Sequence, residues 1–285
     1  MQHFEFHSAA SIEEALAFLA EKGDRCRVIA GGTDLIPALR NEDVQPEFVL
    51  NLLEIESLRG IRETEDAVWI GPTTTFTEMV ESEVIGRCFP LLGQSSAVVG
   101  GPQIRNRGTI GGNIANASPA ADVLPAALVL DAELQIRSEA SGERSVPLAE
   151  AIEEPYRIKF RPDEFLTGIV LRKLETGTRS DFEKLGRRNA MARARMNLSL
   201  VLRQDPDGRV TDLRIVPGAV MPVAKRMKKA EEMLLGKKPA EELMEKASNR
   251  LVEEMTAVTG QRWSTEYKVP VMRNIFRRMV KGLLQ

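Results

Sequence analysis

The stretch from Gln103 to Asp122 constrains what this chain can fold into more than any other segment. Within it stand three glycines, three asparagines, two arginines and three isoleucines. A structureless loop of this length is uncommon in a compact domain and is often functional, and the recurring isoleucines favour burial over a solvated tail. Many hydrogen-bond donors with little steric bulk suit a pyrophosphate or a flat polar ring. A long surface loop is the alternative interpretation.

A second glycine-rich segment, from Val28 to Leu35, contains the pair Gly31-Gly32. The pattern predicts a strand that runs into the glycines and a helix that follows them. Glycine permits positive φ and lets backbone N–H groups approach a ligand with no Cβ in the way, and successive amides before a helix can hold an anion. The segment lacks both G-x-G-x-x-G and a P-loop lysine. A plain strand–turn–helix connection is therefore at least as good an interpretation of this segment alone.

The two glycine-rich segments together favour a dinucleotide as the ligand. Their glycine pairs lie about 80 residues apart in the chain, and two phosphate-type loops are hard to explain with a mononucleotide. A dinucleotide that stretches across the chain explains both segments better.

Composition excludes several classes of protein. Charged residues make up 28% and apolar residues 43% of the chain, as in a globular protein with a core. The formal net charge of -2 provides no basic field for nucleic acid. No apolar run reaches the roughly 18–20 residues that span a bilayer, and the N-terminal sequence shows no secretory signal. We therefore expect no binding to nucleic acid or membrane, and a cytoplasmic location.

The chain has few residues that bind metals through sulfur or imidazole: Cys26, Cys88, His3 and His7. Neither cysteine belongs to a C-x-x-C pair. Two thiols are too few for an iron–sulfur cluster, which needs about four, and for a zinc site made of cysteines alone. Redox chemistry must therefore come from a bound organic cofactor or from another subunit, and no metal site is expected in this chain.

Hydrophobic periodicity divides the chain into three regions, which we interpret as domains or lobes. Residues 1–57 follow a β-α-β-α-β pattern, which predicts a small α/β lobe with parallel strands. Residues 58–175 have the pattern of a mixed α+β region. Residues 176–285 begin with three strands and continue with helices.

Several local signals lie within these regions. Ser11 and Glu14 match a capping box, which predicts the start of the first helix. The apolar pattern predicts one helix over 84–98. The sequence Asp205-Pro206-Asp207-Gly208 stands between two predicted strands and is typical of a hairpin turn.

Four motifs make the sequence recognisable: A-G-G-T-D-L at 30–35, the whole stretch 103–122, F-E-K-L-G-R-R-N-A-M-A at 182–192, and G-A-V at 218–220 followed by Pro222. Together they closely resemble the FAD-binding medium subunit of the molybdenum hydroxylases. That group includes xanthine dehydrogenase, aerobic carbon monoxide dehydrogenase and 4-hydroxybenzoyl-CoA reductase. The last branch carries an inserted segment with cysteines for an extra cluster, and nothing here resembles it. The resemblance spans nearly the whole chain.

The resemblance implies an α+β fold of the vanillyl-alcohol-oxidase type. A two-lobed FAD-binding domain, with a small βαβ lobe, a larger mixed lobe and the FAD between them, would be followed by a C-terminal domain. That domain would combine a three-stranded antiparallel sheet with helices.

The resemblance also implies which residues bind the FAD. Ile29 to Leu35 would wrap the pyrophosphate and Thr109 to Asn113 would continue that cradle, while Lys184 would lie near the flavin ring, where a cation favours the reduced anion. In some relatives the lysine stands one position earlier, at Glu183. Val99 would touch the adenine side, Asp122 the adenosine and ribose, and Leu166 would pack on the cofactor. The full set is Ile29, Ala30, Gly31, Gly32, Thr33, Asp34, Leu35, Val99, Thr109, Ile110, Gly111, Gly112, Asn113, Asp122, Leu166 and Lys184.

The implied function is electron transfer within a larger enzyme, an oxidoreductase of the molybdenum hydroxylase type. Substrate would be oxidised on a molybdopterin-binding large subunit, and electrons would pass through the [2Fe–2S] clusters of a small subunit to FAD on this chain. NAD+, oxygen or another acceptor would then receive them. The assembly would be a heterotrimer or its dimer, and no residue of this chain would act as a catalytic acid or base.

Two other functions are alternatives. One is a stand-alone flavin reductase on the same fold, similar to UDP-N-acetylenolpyruvoylglucosamine reductase, for which we find no convincing proton donor or sugar-nucleotide motif. The other is a non-redox protein that uses the loops for a nucleotide or for assembly. Basic residues that form either a solvated face or a contact surface for partner subunits cluster at Arg187, Arg188, Arg193, Arg195, Lys225–Lys229 and Arg273–Lys281.

Overall fold

A computed structural model describes residues 3–285. The strands, in chain order, are β1 (Glu5–Ser8), β2 (Cys26–Ile29), β3 (Phe48–Asn51), β4 (Ile61–Glu63), β5 (Ala67–Ile70), β6 (Glu133–Ser138), β7 (Gly142–Pro147), β8 (Ile152–Glu154), β9 (Arg157–Ile158), β10 (Glu164–Arg172), β11 (Arg179–Gly186), β12 (Ala194–Gln204) and β13 (Val210–Gly218). The α-helices are α1 (Ile12–Lys22), α2 (Leu35–Arg40), α3 (Phe76–Glu81), α4 (Glu83–Cys88), α5 (Pro90–Ala97), α6 (Pro102–Arg105), α7 (Ile110–Asn116), α8 (Val123–Val129), α9 (Leu148–Ala151), α10 (Lys228–Leu234), α11 (Glu241–Thr259) and α12 (Thr265–Leu284).

The chain forms two compact units, each built from three segments. Of the described residues, the first unit takes those up to Val84 together with Gly101–Ser118 and Asp131–Arg172. The second unit takes Ile85–Gly100, Pro119–Leu130 and Lys173–Gln285. The division into 1–57, 58–175 and 176–285 stays a prediction.

The first unit begins with a small parallel sheet in the order β1-β3-β2. Helix α1 begins after Ser11, whose hydroxyl accepts from the N–H of Glu14 at 3.1 Å. The Glu14 carboxylate accepts from the N–H of Ala10, not of Ser11, so the capping box is shifted by one residue. Leu16 and Leu19 of α1 pack with Leu50 of β3 in one buried cluster. The predicted parallel β-α-β-α-β pattern is confirmed.

A second sheet in the same unit has the order β4-β5-β10-β6-β7, with antiparallel neighbours throughout. Strand β10 lies at its centre and is buried on both faces, since the neighbours Phe165 and Leu166 are both buried, as is Ile169. Helix α7 packs against β10. The central position of β10 therefore anchors the segment that contains the second glycine pair.

Two segments fold differently from the sequence-based expectation. The stretch 103–122 is not a structureless loop, because α6 ends within it and α7 lies inside it. Glycine and asparagine have low helix propensity, and the fold overrides that preference locally. The predicted helix over 84–98 is divided into α4 and α5, since Pro90 begins α5 and disfavours helical backbone at the residue before it.

The second unit is built on the antiparallel sheet β11-β12-β13. Its β12–β13 turn is the predicted hairpin, in which the N–H of Gly208 donates to Asp205 O at 2.9 Å and Gly208 has φ +78°. Helices α10 and α12 pack against this sheet and α11 packs against both of them, with Leu198, Leu200 and Phe276 in the common core. Helices α5 and α8 also pack against the strands β11 and β13, so this unit recruits residues from the middle of the chain.

Two features are absent from residues 3–285. No helix in this range is long and apolar enough to cross a membrane. In the same range, no group of three or more histidine, cysteine, aspartate or glutamate side chains is placed to hold a metal ion.

Candidate functional site

The first glycine-rich segment forms the turn between β2 and α2. Ile29 is the last residue of β2 and Leu35 is the first residue of α2. Gly32 has φ +73°, a conformation that L-residues other than glycine rarely adopt. The carbonyl of Gly32 accepts from the N–H of Ile36 at 3.0 Å, which closes the first turn of α2.

The backbone amides of this turn are not used by the fold. Within residues 3–285, no hydrogen bond uses the N–H groups of Gly31, Gly32 or Thr33. All three residues are half-buried. Successive N–H groups in a glycine turn form a concave site for an anion, so this turn has the donors that a phosphate group requires.

Gly31 is also the point at which the two glycine-rich segments meet. A Cβ at this position would overlap the carbonyl oxygen of Arg107 and lie 3.0 Å from the Cα of Gly108. Only glycine therefore allows the first turn to approach the second segment this closely. Arg107 is a residue that the sequence did not indicate in this role.

The second segment differs because its amides are committed to the protein. Thr109 precedes α7 and caps it. The N–H groups of the four following residues all donate within the first unit: Ile110 to Thr74 O (3.0 Å), Gly111 to Pro72 O (2.9 Å), Gly112 to Thr109 Oγ1 (3.1 Å) and Asn113 to Thr109 O (3.0 Å). The backbone of this segment therefore has a structural task.

The second segment can still form hydrogen bonds to a ligand through its side chains. The Oδ1 atom of Asn113 is buried and has no hydrogen-bond partner within residues 3–285, and a buried polar atom without a partner is costly. The Thr109 hydroxyl accepts from Gly112 and keeps its own proton to donate. Gly111 itself is required by packing, since a Cβ there would lie 2.5 Å from Pro72 O.

Val99 and Leu166 complete the set of predicted residues outside the glycine turns and the charged pair. Leu166 is buried in the central strand β10, against which α7 packs. Val99 follows α5, and its N–H donates to Ser96 O at 3.2 Å. Leu166 thus shares the first unit with both glycine-rich segments, whereas Val99 belongs to the second unit.

In the second unit, Lys184 and Asp122 form a buried ion pair. Lys184 lies on β11, and its Nζ donates to Asp122 Oδ2 at 2.6 Å and to Val98 O at 2.9 Å. Asp122 stands directly before α8, and its Oδ1 accepts from Asn197 Nδ2 at 3.1 Å. The side chains of Lys184 and Asp122 are only 10% and 8% exposed, so the two charges neutralise each other out of reach of bulk water.

Burial raises the pKa of Asp122 above its usual range, and the hydrogen bonds from Lys184 and Asn197 oppose that rise. A carboxylate in this position depends on its cation, because an unpaired buried charge is costly. Removing the charge of either side chain would therefore leave the charge of the other buried without compensation.

Asn197 is a residue of this cluster that the sequence analysis missed. Its Nδ2 also donates to Ala121 O at 3.2 Å, and a Cβ at Gly218 would overlap its Oδ1. The Oδ1 of Asn197 and the Oγ of Ser199 are both buried with no partner in the described chain. The sequence did contain an indication of this role, because the polar residues Asn197 and Ser199 alternate with the apolar residues of β12.

Comparison with known proteins then identifies the family. Residues 2–171 match the family model described as the FAD binding domain in molybdopterin dehydrogenase. The chain belongs to this family. Residues 181–283 match a second model, the CO dehydrogenase flavoprotein C-terminal domain. The resemblance inferred from the motifs is confirmed, and with it FAD as the cofactor and the assignment to oxidoreductase subunits.

Individual relatives agree along the whole chain. The 6-hydroxypseudooxynicotine dehydrogenase complex subunit alpha of Paenarthrobacter nicotinovorans is 29% identical over 99% of this chain and 94% of its own length. The carbon monoxide dehydrogenase medium chain of Hydrogenophaga pseudoflava is 29% identical over 98% and 96%. The structure of reconstituted CO dehydrogenase from Oligotropha carboxidovorans matches with a TM-score of 0.92 and 29% identity, over 99% of this chain and 98% of that one. The predicted fold class is thereby confirmed.

The observed donor set fits an FAD. The free amides of Gly31, Gly32 and Thr33 suit its pyrophosphate, and the unpartnered Asn113 side chain adds a polar group in the same unit. Which of these groups touch the cofactor stays a prediction.

Replacing Gly31 with alanine tests the contact between the two glycine-rich segments. The added Cβ would overlap Arg107 O and push the turn out of place, and such overpacking costs about 1–3 kcal/mol. We expect the affinity for FAD, measured by titration of flavin fluorescence, to fall roughly tenfold or more. The matched control is Gly86→Ala, where a Cβ meets nothing within 4 Å and affinity should be unchanged. Wild-type affinity in Gly31→Ala would contradict the assignment.

Proposed function

We propose that this chain is the electron-transfer subunit of a molybdenum-containing hydroxylase complex. FAD, when bound, supplies the chemistry that carries electrons from the [2Fe–2S] clusters of a partner subunit to NAD+, oxygen or another acceptor. The observation that carries the proposal is the run of three unused amides at Gly31, Gly32 and Thr33 in a chain that matches flavoprotein models from end to end.

In this proposal the first turn does most of the binding of the pyrophosphate. The N–H groups of Gly31, Gly32 and Thr33 donate to its oxygens, and Ala30, Asp34 and Leu35 complete the turn around it. The segment from Thr109 to Asn113 contributes through side chains and by holding the first turn in place, because its amides are already bonded within the protein.

Lys184 and Asp122 are proposed to serve one and the same part of the cofactor. The resemblance assigns Asp122 to the adenosine and ribose and Lys184 to the flavin ring, which lie at opposite ends of an extended dinucleotide. The two side chains are in direct contact at 2.6 Å, so we assign the pair as a whole to the ring. Each oxygen of Asp122 accepts one bond from the protein and can accept a second from a ligand.

The proposed partners are a molybdopterin-binding large subunit and a small subunit with [2Fe–2S] clusters, in a heterotrimer or its dimer. Support comes from the relatives, which are named as a complex subunit alpha and a medium chain. The organic substrate would be transformed on the large subunit, and this chain would need no catalytic acid or base. We propose a cytoplasmic location on the strength of the sequence prediction.

The stand-alone reductase is less well supported than the electron-transfer subunit. The second family model, which covers 181–283, describes the C-terminal domain of a CO dehydrogenase flavoprotein. That domain contains Lys184 and Asn197, so the charged pair depends on the part of the chain that carries this match.

Purification of the tagged chain from its native host tests the proposed function. We expect it to elute with two other subunits, and the complex to contain FAD, molybdenum and iron by absorbance and elemental analysis. A chain that elutes alone with FAD and reduces an organic substrate by itself would contradict the proposal in favour of the reductase.

Opposite charge changes in the buried pair test its place beside the flavin ring. At a pH high enough to keep Asp122 ionised, Lys184→Met changes the pair from neutral to a net charge of −1, so the midpoint potential of the bound flavin should fall. Asp122→Asn leaves Lys184 without its neutralising carboxylate, so the potential should rise, because a cation favours the reduced flavin. Spectroelectrochemical titration of the FAD-loaded protein measures both shifts.

The double variant Lys184→Met with Asp122→Asn serves as the control for damage to the fold. It removes both charges, so its potential should return towards the wild-type value. The assignment of the pair to the flavin ring would be contradicted if the potential shifted in the same direction in both single variants, or if it did not shift at equal FAD content.

A further inference from the structure

Six cations gather on one surface of the second unit, and we name them together the cationic surface: Arg187, Arg188, Arg193, Arg195, Arg262 and Lys268. Arg187, Arg188 and Arg193 lie in the connection between β11 and β12, and Arg195 follows in β12. Arg262 lies in the turn between α11 and α12, and Lys268 lies in the first part of α12. All but Arg262 line one open cavity of about 710 Å³, whose lining contains no carboxylate. Arg262 lines the neighbouring cavity.

The cationic surface has no anionic partner within residues 3–285, where none of its six members forms an ion pair. Other cations of the same unit behave differently. Arg278 pairs with Glu183, and both Arg277 and Lys281 pair with Glu241. These three cations of α12 are therefore neutralised on the protein itself, whereas the cations that line the cavity of about 710 Å³ have no carboxylate beside them in its lining.

Lys268 lies close enough to other cations of this surface to be affected by their charges. Its Nζ donates to Ala219 O at 2.9 Å, and the side chain is half-buried. Burial, together with the positive charges of Arg262 and Arg195, lowers the pKa of Lys268. An anionic group placed against this surface would relieve the repulsion among like charges.

Apolar side chains of the kind that anchor protein interfaces stand among the cations. Trp263 is 91% exposed, and Met191 and Tyr267 are also exposed. The guanidinium of Arg195 lies 5.5 Å from the centre of the Tyr267 ring. Tryptophan, tyrosine, methionine and arginine are the residues most enriched at protein–protein interfaces and their hot spots.

The position of Trp263 favours a protein over a small ligand. Its side chain lines both the cavity of about 710 Å³ and a neighbouring one of about 840 Å³ between α11 and α12. A small ligand in either cavity would cover one side of the indole and leave the other in water. A protein surface can cover both sides and bury the whole ring.

We propose that the cationic surface and Trp263 form the docking site for an acidic face of a partner subunit, with the indole inserted into an apolar pocket of that partner. The inference rests on the proposed function, since it requires the complex. Nucleic acid is disfavoured as the occupant because the chain as a whole carries a formal net charge of -2, and the positive field is confined to this surface.

The test measures binding of the full-length, FAD-loaded chain to the purified large and small subunits by biolayer interferometry. Trp263→Ala should weaken binding about thirtyfold or more, as expected for a central anchor, and Trp263→Phe should recover part of the loss. The double variant Arg187→Glu with Arg193→Glu should slow association and abolish most of its dependence on salt. FAD content should equal that of the wild type in every variant.

The matched control is Arg172→Glu with Lys238→Glu, which makes the same change in net charge at exposed positions outside this surface and should bind as the wild type does. Wild-type affinity in both Trp263→Ala and the arginine variant would overturn the inference while leaving the proposed function intact. Binding of a dT oligonucleotide that is lost in the arginine variant, with subunit binding unchanged, would also overturn it. A wild-type chain that binds neither subunit would contradict the proposed function itself.

Discussion

The close approach of Gly31 to Arg107 is the contact on which the candidate flavin site depends. It brings the turn after β2 against the segment that precedes α7, at a position where any side chain would overlap a backbone carbonyl. The second segment is in turn fixed by its own amide bonds to Thr74 and Pro72. The rigid partner in this contact is thus the longer glycine-rich segment, and the turn it supports keeps its amides free for an anion.

The two glycine-rich segments therefore have different roles, although both contain a glycine pair. One uses glycine to expose N–H groups, while the other uses glycine to pack against Pro72. The second unit contributes electrostatics of a different kind. There the buried side chains of Lys184 and Asp122 form an ion pair.

Local patterns predicted local structure well and long-range contacts poorly. Alternation and turn residues were sufficient for the parallel strands of the first unit and for the hairpin at Gly208. The contact between Lys184 and Asp122 joins residues far apart in the chain, and periodicity carries no information about such pairs. Helix α7 was missed because its glycines disfavour a helix, whereas the Thr109 cap and the packing against β10 stabilise one. Asn197, a polar residue in an apolar strand, was open to prediction from its position alone.

Amide hydrogen exchange of the full chain, with and without FAD, distinguishes the roles of the two glycine-rich segments in binding the cofactor. We expect the N–H groups of Gly31, Gly32 and Thr33 to exchange rapidly in the absence of FAD and to become protected when it binds. The N–H groups of Ile110, Gly111 and Gly112 should be protected in both states, because they are already bonded within the protein. Unchanged exchange at the first turn upon FAD binding, with new protection at the second segment, would contradict the account.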